Sequence, residues 1–299
     1  MAQARATGNV TRTTRLSVNK PSQLGSSRSF YARPALLCAA MSDVILTGAS
    51  RGIGRALAAQ LAPDHRLLLV SRTPAAVGGN SIDVVADLSS MAQARAAGEQ
   101  VAAIVQPGAT LIHNAGLWPH RRVLTADGLE AAFATNCLGP LLFQQPLARS
   151  VKRILVVGAG IMIKGRFDAD RTPAGDDFSS FRTYASTKLA FAVAMRDFAA
   201  RHPDIDVVVV HPGVVKTDLG NRPGPLGWLL SLVKRGWEDP ETTAARLTRI
   251  LARGRWSAPA NPSWLVEEEE QPWPAVANDP GTREAVLAVT ASLLSRHSS

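Results

Sequence analysis

Cysteine is almost absent: Cys38 and Cys137 are the only two in 299 residues. One of them lies in the N-terminal stretch, so a disulfide framework or a cysteine metal site is excluded. Tyrosine is equally scarce, with Tyr31 and Tyr184 alone. No run approaches the roughly 20 apolar residues of a membrane span. Acids are missing from residues 1–42, which carry Arg5, Arg12, Arg15, Lys20, Arg28 and Arg33. Setting those six aside, 27 bases face 24 acids, so the formal charge of +9 falls to +3. The basicity belongs to the N-terminus, and nothing in the body points to a nucleic-acid partner.

Residues 1–42 are rich in Ser, Thr, Arg and Ala and keep no apolar period. That composition predicts an organelle transit peptide. A secretory signal would need a continuous apolar stretch; a disordered basic tail is the plain alternative. The Ser/Thr density and the short run Leu36-Leu37-Cys38-Ala39-Ala40 point to chloroplast ahead of mitochondrion. The folded domain then covers residues 43–299.

From Asp43 short apolar runs alternate with helical patterns. Val44–Leu46, Leu67–Val70, Ile82–Ala86, Thr110–Ile112, Ile154–Val157 and Val207–Val210 are too short for helices and read as buried parallel strands. Helices are expected up to Leu61, over 91–105, from about Asp127 to Arg149, from Tyr184 to Arg201, from Asp239-Pro240-Glu241 onward and over 281–296. Pro suits the first turn of a helix. Residues 161–180 read as a loop, Trp256–Val266 as holding a last strand, and Glu267–Glu270 as a solvated acidic turn. Gly220–Pro225 is a breaker cluster before a very apolar short helix, Leu226–Trp237. No repeat and no second domain are visible. The alternation predicts an α/β, Rossmann-type doubly wound parallel sheet flanked by helices, in a single domain. Ligands of such sheets sit at the carboxyl ends of the strands.

Two strand ends and two helical stretches carry candidate chemistry. After the first comes Thr47-Gly48-Ala49-Ser50-Arg51-Gly52-Ile53-Gly54, a glycine turn that opens a helix. Such a turn lets backbone N–H groups approach a pyrophosphate. After the second comes Ser71-Arg72, where an acid would accept from the ribose of NAD and an arginine suits the 2′-phosphate of NADP. Arg51 and Arg72 therefore point to NADP(H). Tyr184 and Lys188 lie four residues apart, on one face of a helix. An ammonium beside a phenol is expected to lower the Tyr184 pKa from roughly 10. That spacing alone is common in helices. Asn136, inside an apolar helical stretch, needs a partner or a role.

Together these residues resemble the short-chain dehydrogenase/reductase family, from about Asp43 to the C-terminus. Thr47-Gly48-x-x-x-Gly52-x-Gly54 matches its cofactor glycines, Asp87 its adenine-contacting acid and Asn114-Ala115-Gly116 its Asn-Ala-Gly motif. Asn136 matches the proton-relay Asn, Tyr184 and Lys188 the catalytic pair, and Pro212-Gly213 with Thr217 the motif near the nicotinamide. The long segment before Tyr184 and the Trp-rich tail resemble the retinol dehydrogenase branch and its protochlorophyllide-reductase-like relatives. The resemblance implies that Lys188 also binds the nicotinamide ribose and that Asn136 holds a water linking Lys188 to solvent. It implies that the apolar segment around Trp228 acts as a substrate lid. A small lipophilic substrate follows, with peripheral membrane contact and a homo-oligomer left open.

One departure stands out. The family's catalytic Ser closes the fifth strand in a Ser-Ser pair, and Gly158-Ala159 stands there instead. Loss of one preorganised donor typically costs about 10²–10³ in rate. Ser186 faces elsewhere on its helix; Ser179, Ser180 or Lys164 could reach in from the loop. Two readings follow: an NADPH-dependent oxidoreductase acting on a carbonyl or polarised double bond, or a cofactor-binding scaffold or redox sensor that has lost catalysis. The short C-terminal part disfavours an epimerase-type enzyme.

Overall fold

The structure, a computed structural model, describes residues 42–215 and 238–297. The predicted leader up to Met41, Thr217, the breaker cluster and the Trp228 segment lie outside the described residues.

Among the described residues eight strands form one sheet: β1 (Asp43–Thr47), β2 (Arg66–Ser71), β3 (Ser81–Val85), β4 (Ala109–His113), β5 (Val151–Val157), β6 (Asp206–His211), β7 (Ser263–Val266) and β8 (Glu269–Gln271). Their order is β3-β2-β1-β4-β5-β6-β7-β8. Neighbours are parallel as far as β7, and β8 returns antiparallel. The chain leaves β1 in one direction for β2 and β3, then crosses back to β4. That reversal makes a crevice outside the carboxyl ends of β1 and β4.

The strands are apolar on both faces because helices cover both. Ile45 of β1 joins one cluster with Leu68, Met91, Phe133, Phe143, Leu189 and Met195. Its neighbours Val44 and Leu46 point the other way, into a cluster with Leu57, Leu61, Leu247, Ile250 and Trp256. This period of two is the strand's own. The first cluster sits under α2 (Met91–Ala102), α3 (Ala131–Phe133), α4 (Gly139–Gln144), α5 (Ser180–Arg201), α7 (Ala275–Asn278) and α8 (Pro280–His297). The second sits under α1 (Gly52–Leu61) and α6 (Pro240–Leu251). No described helix is long and apolar enough to cross a membrane.

Several elements differ from expectation for local reasons. The helix expected from Asp127 begins at Ala131, because Gly128 turns the chain at φ 73°. Glu130 then caps it, its Oε2 accepting from the N–H groups of Ala132 (2.8 Å) and Phe133 (3.0 Å). The same stretch is not one α-helix. Residues Ala134–Leu138 form a π turn between α3 and α4. Pro140 has no N–H to give the carbonyl four residues back, which is that of Asn136. The third strand starts one residue early, at Ser81. The stretch read as loop after β5 opens with a 3-10 turn, Gly160–Lys164. The acidic run Glu267–Glu270 is the largely exposed turn expected, with Glu268 alone half-buried. Glu267 (φ 58°) bends a hairpin into β8, and Glu268 accepts from both arms of Arg249 (3.0 and 2.6 Å).

Candidate active site

The glycine turn is bound to β4 at the point where strand order reverses. Thr47 Oγ1 accepts from the backbone N–H groups of Asn114 and Ala115, each at 3.1 Å. Asn114 Nδ2 donates to the carbonyls of Thr47 and Gly48, also at 3.1 Å. The approach is so close that only glycine fits. A Cβ on Gly48 (φ 72°) would lie 2.8 Å from Ala115 Cα, and one on Gly54 would lie 2.2 Å from the Gly48 carbonyl oxygen. α1 begins at Gly52 with no side-chain cap on its N–H groups and no acid in its first turn. Its free N–H groups and the positive end of its dipole suit an anion. This cradle fits the pyrophosphate of a nicotinamide dinucleotide.

A cleft of about 630 Å³ runs along the strand ends. Gly48, Ser50, Arg51, Gly52, Ile53 and Gly54 line it at β1. Arg72 after β2 and Asp87 after β3 line its far side, and Asn114, Ala115 and Gly116 line it at β4. Ala159 after β5, Tyr184 and Lys188 on α5, and Pro212 and Gly213 after β6 complete the predicted set. Arg51 and Arg72 are exposed. Asp87 Oδ1 accepts from the N–H of Ser89 at 2.9 Å.

Asn136 stands apart from the lining. Its side chain is taken up by the backbone of Leu117, accepting from the N–H (2.7 Å) and donating to the carbonyl (2.8 Å), and by Thr187 Oγ1 (3.0 Å). It pins the chain after Gly116 against α5.

Tyr184 is buried to 6% exposure, with the indole of Trp118 stacked on its ring at 4.7 Å and 3°. Lys188 Nζ donates to the Val157 carbonyl at 2.9 Å. Burial pulls the Lys188 pKa down to about 8. Burial pushes the Tyr184 phenol up from its ordinary value, the reverse of the lowering expected from Lys188. Desolvation penalises the phenolate, and no opposing charge effect on Tyr184 offsets it. The phenol thus holds its proton. His113 beneath, hydrogen-bonded to Gln144 at 2.8 Å, is kept neutral by burial, with a pKa near 4.

Ala159 follows β5 in extended conformation (φ −153°) and faces the cleft with a methyl group. None of the hydroxyls considered as substitutes lines the cleft. Ser186 Oγ donates to the Arg166 carbonyl at 2.6 Å and accepts from its N–H at 2.9 Å. Ser179, Ser180 and Lys164 are likewise absent from the lining. Among the lining residues that escaped the sequence reading are Trp118, just past the Asn-Ala-Gly motif, and His211, just before Pro212. Their positions at strand ends were the available signal.

A family model described as short chain dehydrogenase matches residues 42–224. The chain belongs to the short-chain dehydrogenase/reductase family of NAD(P)-dependent oxidoreductases, in its retinol dehydrogenase-like branch. Among relatives, Polyprenol dehydrogenase of Mus musculus is 30% identical over 239 residues, 70% of either chain. Retinol dehydrogenase 14 of Homo sapiens is 28% identical over 210 residues, 59% of this chain and 62% of that one. A crystal structure of a short chain dehydrogenase from Burkholderia cenocepacia in complex with NADP shares the fold, with TM-score 0.55 and 22% identity over 80% of this chain and 98% of that one.

Proposed function

We propose that the protein reduces a carbonyl group of a lipophilic small molecule with NADPH. The observation that carries this reading is the shared cleft: the glycine cradle at β1 and the Tyr184–Lys188 pair on α5 face one another across the strand ends. The dihydronicotinamide, when bound, supplies a hydride to the carbonyl carbon. Tyr184 gives its phenolic proton to the carbonyl oxygen, so an alcohol leaves and the oxidised cofactor remains. A phenol that holds its proton is the right form for this donor. Lys188, charged below its pKa of about 8, is the group assigned to the nicotinamide ribose. Asn136 fixes the backbone at Leu117 beside them. Apolar side chains at the mouth support a lipophilic substrate: Trp118 and Val214 line the cleft, and the half-exposed Phe181 ring lies 6.5 Å from the indole. The names of the dehydrogenase relatives point the same way.

NADPH is preferred over NADH in this reading. Neither Arg51 nor Arg72 has a side-chain partner among the described residues, and β2 ends in Ser71-Arg72 with no acid. A charge-assisted hydrogen bond to a phosphate contributes about 1.5–3 kcal/mol, or roughly 10–150-fold in affinity. Arg72→Asp should weaken NADPH by that order and bring NADH level with it or ahead. Calorimetric titration of both cofactors checks this; equal affinities in the unaltered protein would refute the preference.

The acid-free leader supports import into a chloroplast. Protein from its native source should then begin between Phe30 and Asp43, and mass spectrometry finding Met1 or Ala2 intact would contradict it. A second reading, a cofactor-binding scaffold, is favoured by the methyl group at Ala159. It is refuted by NADPH oxidation that depends on both an added carbonyl and Tyr184.

A further inference from the structure

Among the described residues five buried polar atoms lack a hydrogen-bond partner: His113 Nδ1, Trp118 Nε1, Glu130 Oε1, Arg153 Nε and His211 Nδ1. Of these residues only Trp118 and His211 line the cleft. The indole N–H is a donor and nothing else, so it has one way to be satisfied. Buried donors without acceptors are uncommon because they forfeit water and gain nothing.

The position of Trp118 gives this orphan a meaning. Its ring lies parallel on Tyr184, the proposed proton donor, at 4.7 Å. Other donors around Tyr184 are committed. Thr135 bonds the Ala131 carbonyl and Ser186 the Arg166 carbonyl, while Lys188 spends one N–H on the Val157 carbonyl and is assigned to the nicotinamide ribose with the others. Ala159 offers a methyl group. His211 is wedged against the backbone: a Cβ on Gly160 would lie 2.8 Å from its Cδ2.

We propose that the Trp118 indole N–H donates the second hydrogen bond to the substrate's carbonyl oxygen, in place of the hydroxyl missing at Ala159. The N–H is buried without an acceptor, and a substrate oxygen held beside Tyr184 would supply one. Tyr184 then gives the proton and Trp118 holds the oxygen, while the indole face and Phe181 receive the apolar body of the substrate. The inference rests on the carbonyl-reduction reading and deepens it.

A double-mutant cycle on the full chain tests it. Wild type, Trp118→Phe, Ala159→Ser and the double variant are assayed with NADPH against para-nitrobenzaldehyde, decanal and a naphthoquinone. Phenylalanine keeps a ring on Tyr184 and removes only the N–H. Trp118→Phe should lower kcat/KM by about 10²–10³ with NADPH affinity unchanged by calorimetry. Adding Ala159→Ser to that variant should restore most of the loss, whereas the same substitution in wild type should raise the rate far less. A packing role for Trp118 would not be rescued by a hydroxyl at another site. The proposal is overturned if Trp118→Phe turns over within about twofold of wild type, or if Ala159→Ser helps equally in both backgrounds. Tyr184→Phe separates the two readings. If it is inactive while Trp118→Phe is unimpaired, only this inference falls. If wild type reduces none of the carbonyls, or Tyr184→Phe matches it, carbonyl reduction falls and this inference with it.

Discussion

Tyr184→Phe should lower kcat for any carbonyl the protein reduces by about 10²–10⁴, the usual contribution of a positioned proton donor. NADPH binding and the melting temperature should hardly move. The reason lies in what the hydroxyl does not do in the fold. Among the described residues it has no hydrogen-bond partner, so its removal leaves nothing unpaired. The ring remains to fill the space under Trp118. Steady-state rates beside a thermal melt make the check. A variant that melts like wild type and turns over like wild type would remove Tyr184 from the chemistry. One that loses both properties would show that the hydroxyl serves the fold.

Gly54→Ala should produce the second large effect, on cofactor affinity. The added Cβ would lie 2.2 Å from the Gly48 carbonyl oxygen and 2.5 Å from Asn114 Nδ2. Neither neighbour can yield alone, because Asn114 Nδ2 also bonds the Thr47 carbonyl. The cradle must open, which moves the free N–H groups at the start of α1 away from the pyrophosphate. Overpacking of this kind costs about 1–3 kcal/mol. The NADPH Kd should rise at least about tenfold, the equivalent of some 1.4 kcal/mol. Gly254→Ala is the control, since a Cβ there meets nothing within 4 Å. If the two variants bind NADPH alike, the cradle is not where the pyrophosphate sits.

Much of this site could be read in advance because its signals are local. The glycines between β1 and α1, the Asn-Ala-Gly motif after β4 and the Tyr184–Lys188 spacing each act through their immediate chain neighbours. Asn136 was a partial success. Its need for a partner was evident from an apolar helix, but the partner, the Leu117 backbone, lies on another loop. The acidic run after β7 is the exposed turn expected, but its ion-pair partners were not legible for the same reason. Glu268 is held by Arg249 of α6, and Glu267 comes within 3.4 Å of Arg246 on the same helix.

By itself the sequence determined the doubly wound sheet, most strand and helix positions and the cofactor-facing turn. Apolar runs bounded by glycine or proline and helical periods are properties of short segments, and they act before any long-range contact forms. Only the tertiary structure decided the electrostatic state of Tyr184, because desolvation depends on everything packed around the ring. It alone showed that a π turn at Asn136 precedes Pro140 and that Ser179, Ser180 and Ser186 do not line the cleft. It alone brought Trp118, at the end of one strand, onto Tyr184 of a distant helix. Stacking of that kind has no period and no spacing in the chain; it exists only once the sheet has set both elements side by side.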